Sequence, residues 1–540
     1  GRPMSTHEVL NQPPALGDLD LYLHDPVLRR LVDTFDAGWA TDRLAQFGRM
    51  AGTQETHALA EAANRHEPEL RTHDRYGHRI DQVESHPAWH QLMDRAVTHA
   101  VHSLGWSETR PGSQVARTSL MYLDSQVEQG HGCPISMTAS VVPSLRMTPE
   151  LSETWEPRLL STDYDPSFQP ADHKRGALMG MGMTEKQGGS DVRTNSTTAE
   201  PASDHFLLTG HKWFTSAPMC DAFLVLANAP GGLSCFFVPR FLPDGTENAF
   251  RIQRLKTKLG NRSNASSEIE FENTHGWLVG EEGRGVPTII EMVNGTRLDC
   301  ITGSAALMRQ SLTNAAWHVS HRSAFGKTLI DQPAMTNVVA DLELETQAAT
   351  LMMLRVAAMF DRATDDEREA GLRRIATPIA KYWVTKRTTA VVREAMECLG
   401  GNGYVEESPL PRWFRESPLN AIWEGSGNVI ALDLLRAIRH EPSALEFLAD
   451  EILLDASAAA TQQLASANEM LETSSNHESD ARRIVEHLAR AWSSSLMARH
   501  TDHGDLYDAG RIIEPHAMFG TLPHSDDLRG IAALSVPTPA

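Results

Sequence analysis

Residues 397–428 read ECLGGNGYVEESPLPRWFRESPLNAIWEGSGN, and they place one glutamate, Glu424, between bulky apolar side chains and a glycine-rich turn. Shielding from water disfavours the charged form of a carboxylate. Burial beside Ile422 and Trp423 would therefore raise the pKa of Glu424 toward the range useful for taking a proton from carbon. The same pattern also fits a solvated loop glutamate in front of a helix. A catalytic base and a plain loop residue are thus both open for this position.

Length and composition indicate a large multidomain protein. The chain has 540 residues, which ordinary domain sizes divide into roughly three or four domains. It contains 41% hydrophobic residues but no apolar run approaching the roughly 20 residues of a membrane helix, so we expect no spanning segment. The five cysteines form neither a C-x-x-C pair nor a zinc-like cluster with histidine, which predicts a reduced, cytoplasmic location and no metal site. The first residues lack the apolar core of a secretion signal.

The formal net charge of -21 argues against a chain that is basic throughout, but two stretches are locally basic. Residues 371–393 carry six cations and residues 248–267 carry five, with no acidic residue in either stretch. Either stretch could contact phosphate. Alternatively, its cations pair with the abundant carboxylates of the chain at subunit contacts.

Hydrophobic periodicity divides the chain into four regions. Residues 5–178 have helical periodicity, whereas residues 179–285 have short β-rich runs separated by glycine and proline turns. Long helical segments return over residues 286–440, and residues 441–540 continue as helices to about 500 before a loose tail. The prediction is an α+β multidomain fold: an N-terminal helical domain, a middle β domain, a C-terminal helix bundle and an additional helical C-terminal domain.

The β region begins with a glycine-rich loop, MGMTEKQGGSD at residues 181–191, whose glycines let backbone amides approach an anionic or planar ligand closely. No convincing helix follows it, so a Rossmann dinucleotide fingerprint fits poorly, and a plain glycine-rich connection is the alternative. Residues 211–216, HKWFTS, place an indole beside hydroxyls that could wall an aromatic cofactor. Trp213 could equally belong to the core.

Together these segments resemble the two signatures of the acyl-CoA dehydrogenase family. The first is GMTE with GGSD over residues 182–191. The second, at the family's spacings, comprises Glu397, Gly400, Gly401, Gly403, Tyr404, Glu407, Arg412 and Glu416, followed directly by residues 422–425. The order of helical domain, β domain and bundle is also similar to that family. Residues 11–14, 184–191 and 232–244 and the extra hundred C-terminal residues resemble its alkylation-response (AidB) branch, whose members are associated with protection of DNA against alkylating agents.

The resemblance implies an FAD-dependent dehydrogenase in which Glu424 removes the proton α to a thioester carbonyl while the β-carbon hydride moves to flavin N5. It also implies that the Glu424 backbone amide and a flavin ribityl hydroxyl bind the thioester oxygen. One branch of the family keeps its base on another helix, at the position of Thr296, and threonine cannot do that work. The implied cofactor contacts within the chain are Met183, Thr184, Gly189, Ser190, Trp213, Phe214, Thr215, Ser216, Gly400, Gly401, Trp423, Ser426 and Asn428.

The resemblance further implies that Arg322 and Phe325 reach the cofactor phosphate of a neighbouring subunit, in a homotetramer. Taken without the resemblance, Arg322 could simply complement the dipole at the end of its helix.

Three classes of function follow. One is a metabolic acyl-CoA dehydrogenase or oxidase with no DNA role. Another is an AidB-like flavoprotein that protects DNA against alkylation and dehydrogenates short branched acyl-CoA weakly. The third is a helical scaffold without its flavin. We favour the second, because stability alone does not require the loop at Thr184, Trp213 and Glu424 together.

Binding of double-stranded DNA meets an electrostatic difficulty in the last region. Residues 441–540 contain six arginines against sixteen acidic residues, a net charge of -10, which should repel phosphates. Duplex binding would then depend on a surface shared between subunits. The candidate DNA-binding residues are Arg436, Arg439, Arg482 and Arg483.

Overall fold

The N-terminal part of the chain is helical except for one β-hairpin. The computed structural model describes residues 6–473 and 477–539, so residues 5 and 540, which bound the predicted outer domains, lie outside the described residues. α1 begins after Asp25, whose carboxylate accepts a hydrogen bond from the backbone N–H of Leu28 at 3.0 Å, as an N-cap does. The elements are α1 (Pro26–Thr34), α2 (Thr41–Ala51), α3 (Gln54–Arg65), β1 (Glu69–His73), β2 (Arg79–Glu84), α4 (Pro87–Thr98), α5 (Leu104–Ser107), α6 (Ser113–Asp124), α7 (Gly132–Ser140), α8 (Val142–Leu145) and α9 (Pro149–Leu159).

The hairpin of β1 and β2 departs from the predicted all-helical N-terminal region. Its strands are five and six residues long and mostly polar, so their alternation is weak in the sequence. Arg71 pairs with Glu84 across the hairpin at 2.7 Å. This cross-strand ion pair supports the short strands, together with the paired Leu70 and Val83, which pack against the core of the β domain.

The middle part of the chain is a seven-stranded sheet that closes on itself. Its order is β3-β6-β4-β5-β9-β7, with β8 added to β9. Because β6 pairs with β7 and also with β4, the strand path returns to its start and few edges remain free. Phe223, Phe236 and Phe250 are buried in its core. The strands are β3 (Met179–Gly182), β4 (Thr198–Ala202), β5 (His205–Ser216), β6 (Ala222–Ala229), β7 (Gly232–Pro239), β8 (Phe250–Leu255) and β9 (Ser266–Val279).

Three long helices dominate the bundle that follows. α10 packs against α11 and α12, and α12 also packs against α14 and α15, so most of each long helix is buried. α12 begins at Asp366, whose carboxylate accepts hydrogen bonds from the N–H groups of Arg368 and Glu369. None of the described helices is long and apolar enough to cross a membrane. The elements are α10 (Gly285–His321), β10 (Ser323–Ala324), β11 (Lys327–Thr328), α11 (Pro333–Arg362), α12 (Glu367–Cys398), α13 (Leu410–Glu416) and α14 (Gly427–His440).

The additional C-terminal region packs onto the bundle through a buried ionic cluster. Arg355 of α11 donates to Glu369 at 3.0 Å and to Glu451 at 2.5 Å, and the buried indole of Trp492 donates to the same Glu451 at 2.9 Å. The region thus shares one hydrophobic core with the bundle. Its helices are α15 (Pro442–Leu453), α16 (Ala458–Thr473), α17 (His477–His500), α18 (Gly504–Asp508) and α19 (Leu528–Leu534).

The prediction of a loose tail after residue 500 is wrong. The guanidinium of Arg511 is buried and lies 2.7 Å from both Asp341 and Glu345 of α11. Leu522 and Ile531 are buried as well. The acidic partners are some 170 residues away in the sequence, so the polar tail gave no local sign that it packs.

Candidate active site

Glu424 lies in the loop between a 3-10 turn and α14, and three consecutive carbonyls of this loop accept hydrogen bonds from cations. Lys381 of α12 donates to the carbonyl oxygens of Trp423 at 2.9 Å and Gly425 at 2.7 Å. Arg297 of α10 donates to the carbonyl oxygen of Glu424 at 2.9 Å. Glu424 has a φ of +62°, which a residue with a side chain rarely adopts. The hydrogen bonds from these two cations therefore stabilise a strained backbone conformation.

The carboxylate of Glu424 is partly buried, and Thr296 donates a hydrogen bond to its Oε2 at 3.0 Å. Burial raises the pKa of Glu424 above its usual value. The hydrogen bond from Thr296 and the positive charges of Lys381 and Arg297 act in the opposite direction. Thr296, which cannot serve as a base, thus contacts Glu424, which can. In the described part of the chain, no hydrogen bond involves the backbone N–H of Glu424.

An ion pair buried in the β domain fixes the glycine-rich loop. Glu185 and Lys212 meet at 2.8 Å with fully buried side chains, and Glu185 also accepts from the backbone N–H of Ser196 at 2.7 Å. Lys212, together with its hydrogen bonds and charge, holds the pKa of Glu185 at about 2 against the effect of burial. The backbone N–H of Trp213 donates to the carbonyl of Thr184 at 2.8 Å, so the loop and β5 lie side by side.

The aromatic pair on β5 is partly open. Trp213 is half-buried, and the ammonium of Lys256 lies 3.1 Å from the centre of its ring, a cation–π contact. Phe214 is half-exposed and has its ring 4.5 Å from the same ammonium. Glu268 pairs with Lys256 at 3.2 Å. The interpretation of Trp213 as a core residue is therefore not supported.

Cys133 of α7 joins the β domain to the Glu424 loop. Burial raises the pKa of its thiol to about 12, a hydrogen bond with Ser216 opposes the rise, and the charge of Glu424 adds to it. The same thiol has a hydrogen bond with Asn264. The thiol of Cys133 is thus affected by both Ser216 and Glu424, which indicates that the ends of the two sequence signatures lie in one region of the molecule.

Two unpaired polar atoms near Cys133 are suited to bind a flavin. The buried Thr215 Oγ1 and Asn264 Oδ1 have no hydrogen-bond partner among the described residues. A Cβ at Gly182 would lie 3.3 Å from Thr215 Oγ1, so the glycine keeps the space in front of this hydroxyl open. Hydroxyl and amide groups of this kind can bind the edge of an isoalloxazine ring. The described residues contain no cluster of His, Cys, Asp or Glu that could hold a metal ion.

The structure brings the predicted residues Met183 and Thr184 beside β5, which also carries Thr215 and Ser216, but it places others far from them. Arg322 follows the last residue of α10, 26 residues after Thr296, a distance of about 39 Å along a helix. Gly400 and Gly401 follow the end of α12, about 28 Å beyond Lys381.

The remote residues share one end of the bundle. Thr296 and Lys381 both contact the Glu424 loop, while Asn314 of α10 and Leu399 at the end of α12 line one cavity at the other end. Phe325 there is fully exposed, on a hairpin with a φ of +52°. These residues cannot touch the flavin site of their own chain.

Most cations of the two basic stretches pair with acids from elsewhere in the chain. Arg374 meets Glu441 at 2.8 Å, and Lys256 meets Glu268. The alternative prediction, pairing with carboxylates, therefore describes these stretches better, although the pairs form within the chain rather than at subunit contacts.

The candidate DNA-binding arginines are not one exposed cluster. Arg436 pairs with Asp433, and Arg483 lies 3.5 Å from Asp480. Arg482 donates to Asn428 Oδ1 at 2.8 Å, beside the Glu424 loop. Arg439 is exposed, and no carboxylate lies within 4.0 Å of it among the described residues.

Sequence reasoning missed Arg297, Lys381, Cys133 and Asn264. Lys381 was visible only as one cation of a basic stretch, and nothing local indicates that its side chain is buried. Arg297 directly follows Thr296, so the family position on that helix was the available signal.

Family models cover most of the chain. The N-terminal domain of the adaptive response protein AidB matches residues 11–166. The middle domain of the acyl-CoA dehydrogenases matches residues 180–274, and their C-terminal domain matches residues 283–439.

Relatives extend this match. The chain is 49% identical over 448 residues to an acyl-CoA dehydrogenase named AidB from Escherichia coli (strain K12), covering 82% of this chain and 83% of that protein. It is 28% identical over 536 residues to acyl-CoA dehydrogenase family member 11 of Caenorhabditis elegans, covering 91% and 86%. The crystal structure of Caenorhabditis elegans ACDH-11 in complex with C11-CoA superposes with a TM-score of 0.84 at 25% identity, covering 98% of this chain and 93% of that one.

These matches confirm the predicted fold class and the predicted family. Acyl-CoA dehydrogenases are FAD-dependent flavoproteins. The chain belongs to the acyl-CoA dehydrogenase family, in its AidB branch, and is an FAD-dependent oxidoreductase of that family.

Proposed function

We propose that this protein oxidises an acyl-CoA thioester and that Glu424 is the base that removes the α-proton. The observation that supports this most directly is the Glu424 loop itself. Its carboxylate has a pKa raised by burial, and its backbone is held by Lys381 and Arg297 in a conformation that is unfavourable without support. A base of higher pKa takes a proton from carbon more readily, provided that it is ionised at the working pH.

The residues around Glu424 have complementary roles in this proposal. The hydroxyl of Thr296 stabilises the ionised carboxylate and orients it. The unpaired backbone N–H of Glu424 can donate to the thioester oxygen, which makes the α-proton more acidic as negative charge develops there. When bound, the flavin supplies the acceptor for the β-carbon hydride.

In this proposal, the flavin binds to residues of the glycine-rich loop, of β5 and of the Glu424 loop. Met183, Thr184, Gly189 and Ser190 lie on the glycine-rich loop, and Thr215 and Ser216 offer hydroxyls at the end of β5. The remaining contacts of the proposed set within the chain are Trp213, Phe214, Trp423, Ser426 and Asn428.

For the substrate, we propose a short branched acyl-CoA, oxidised slowly. The solved Caenorhabditis elegans relative holds C11-CoA, so the test set includes both short branched and eleven-carbon thioesters. Anaerobic titration of the purified yellow protein should bleach the flavin absorbance with the preferred thioester.

Glu424→Gln tests the base directly. We expect the variant to keep its flavin absorbance and to lose substrate-dependent bleaching by about 100-fold to 10,000-fold in rate, because the amide cannot accept the proton. Glu69→Gln is the matched control, since Glu69 is exposed on the N-terminal hairpin and lies 3.6 Å from Arg71. Bleaching of Glu424→Gln at the rate of the unaltered protein would exclude Glu424 as the base. A protein that is colourless and takes up no added FAD would exclude the whole proposal.

We also propose a homotetramer, in which the remote end of the bundle completes the cofactor site of a neighbour. Arg322, Phe325, Gly400 and Gly401 lie too far from their own cavity to serve it. The full exposure of Phe325 at a hairpin tip supports a contact with another chain.

A role in protecting DNA against alkylation is the second candidate, favoured by the AidB match over residues 11–166. It predicts duplex binding that tolerates Glu424→Gln. Mobility shifts at several salt concentrations test it. No retardation at about 50 mM salt, or a retardation that salt does not change, would contradict phosphate-driven binding.

A further inference from the structure

Two cations converge on the first turn of α14, next to the Glu424 loop. Arg482 of the additional C-terminal domain donates its Nε–H to Asn428 Oδ1 at 2.8 Å. A Cβ at Gly427 would lie 3.0 Å from both Arg482 Nη2 and Lys386 Nζ, and 2.4 Å from Lys386 Cε. A side chain at this position would displace the ends of both cationic side chains, so the glycine lets them approach the same point.

Arg482 differs from the other arginines of its domain. The remaining five arginines of residues 441–540 each have a carboxylate within 4.0 Å, whereas Arg482 has none among the described residues. Those five pairs are Arg483 with Asp480, Arg490 with Glu486, Arg499 with Asp455, Arg511 with Glu345, and Arg529 with Asp331. Arg482 is exposed, and the absence of an acid within the described residues leaves its guanidinium available to an anion from outside the chain.

The electrostatics at this point are unfavourable without an anion. In the described part of the chain, the exposed Lys386 has no carboxylate within 4.0 Å either, and its pKa is lowered by desolvation and by the charge of Arg482, against the more distant charge of Glu486. Both cations lie beside the N-terminus of a 14-residue helix, where the helix dipole is positive and favours negative charge. Two positive side chains held there repel each other and the dipole, unless an anionic group binds between them.

The family signature indicates which anion. Ser426 and Asn428 belong to the proposed cofactor contacts, and Asn428 is the residue that orients the guanidinium of Arg482. We propose that Arg482 and Lys386 bind the phosphates of the flavin dinucleotide, so that the additional C-terminal domain contributes directly to the cofactor site. This inference rests on the flavin site of the proposed function. A guanidinium fork held by Asn428 keeps further N–H donors for phosphate oxygens, and Lys386 adds a second positive charge.

The assignment also changes the interpretation of Arg482, which the sequence suggested as a DNA-binding residue. Arg482 is exposed, but its hydrogen bond to Asn428 holds the guanidinium at the first turn of α14, close in sequence to the Glu424 loop. The C-terminal domain would then act on redox chemistry through cofactor affinity.

Flavin titration of the full-length apoprotein tests the inference. Binding of FAD, FMN and riboflavin is measured by quenching of flavin fluorescence, for the unaltered chain and for Arg482→Gln, Lys386→Gln and Arg483→Gln. The last is the matched control, because Arg483 is the next residue, is exposed, and pairs with Asp480. We expect Arg482→Gln and Lys386→Gln each to raise the Kd for FAD by about tenfold or more, since a hydrogen bond to a charged group is lost. Riboflavin, which has no phosphate, should bind all four proteins equally.

Three results would overturn the inference. In the first, both variants bind FAD within about twofold of the unaltered chain. In the second, riboflavin affinity falls as much as FAD affinity, which indicates a general disturbance of the loop. In the third, Arg482→Gln abolishes duplex retardation and leaves FAD affinity unchanged, which assigns the anion to DNA. If the unaltered chain binds no flavin, the proposed function fails together with this inference. The three results above contradict the inference alone, because in each of them the unaltered chain still binds FAD.

Discussion

Replacing Lys381 with methionine should reduce the reaction rate much more than the stability. Its ammonium is almost fully buried, and it donates to the carbonyls of Trp423 and Gly425 on either side of Glu424. Each hydrogen bond from a charged group contributes about 1.5–3 kcal/mol. Burying an ammonium costs several kcal/mol, and no carboxylate lies within 4.0 Å of Lys381 among the described residues to offset that cost. The two contributions nearly cancel, so we expect the free energy of unfolding to change by no more than about 2 kcal/mol.

The rate should respond differently, because Glu424 depends on its backbone for position. A φ of +62° costs roughly 1–3 kcal/mol, and it persists only while the surrounding contacts enforce it. Without Lys381 the loop can relax, and a displacement of about 1 Å in a reacting group can cost on the order of 100-fold in rate. We therefore expect flavin reduction by the best thioester to slow by about 100-fold.

Stopped-flow flavin reduction and urea unfolding measure the two effects on the same preparation. Arg374→Met is a matched control, since Arg374 lies on the same helix, is exposed, and pairs with Glu441 away from the loop. A Lys381→Met protein that reduces its flavin within about threefold of the unaltered rate would refute the idea that Lys381 holds the base. Equal losses of stability and rate would show instead that Lys381 acts only on folding.

Three further predictions concern proton transfer, folding and assembly. Thr296→Val removes the hydrogen bond that lowers the pKa of Glu424. Since Glu424 must be ionised to act, the acidic limb of the pH profile of kcat/KM should move to higher pH. An acidic limb at the same pH would contradict this prediction. Arg511→Met removes the buried cation that Asp341 and Glu345 share. It should lower the free energy of unfolding in urea by about 3–5 kcal/mol. A decrease below about 1 kcal/mol would show that the C-terminal tail is not needed for stability. Phe325→Asp should lower the assembly state measured by sedimentation without loss of the helical circular dichroism, and an unaltered tetramer would place the interface elsewhere.

The pKa of Glu345 determines how the free energy of unfolding changes at acid pH. Its pKa is held at about 2, against burial, by Arg387 and Arg511. A carboxyl group with a depressed pKa in the folded state contributes stability above its unfolded pKa, near 4.5, and that stability is lost as the pH falls toward about 2. Arg511→Met should therefore weaken the acid dependence of unfolding over this range.

How much the sequence predicts depends on whether a signal is local. The glycines at residues 182–189 and Glu424 within IWEG are local patterns, and the fold and family they indicate are confirmed. The burial of Lys381 and Arg511 is not a local property, because their partners lie tens to hundreds of residues away. A charged side chain looks the same in sequence whether it meets solvent, an acid or a carbonyl, so the sequence left the basic stretches open between phosphate contacts and carboxylate pairs, and it predicted a loose tail where the structure has a buried ion pair.

The arginines of the C-terminal domain show why a motif and a charge count lead to different conclusions about DNA. A net charge of -10 over residues 441–540 excludes only a domain that is basic as a whole. Pairing is a further constraint, because a neighbouring carboxylate reduces the attraction of an arginine for a backbone phosphate, and it excludes Arg511 outright since that pair is buried. Five of the six arginines are in this position, and Arg482 is held at the first turn of α14 by Asn428. Among the four candidate DNA-binding arginines, Arg439 is therefore the one with neither an acid nor Asn428 to hold it in the described part of the chain, and the proposed role of Arg482 in cofactor binding offers the C-terminal domain a function that needs no basic surface.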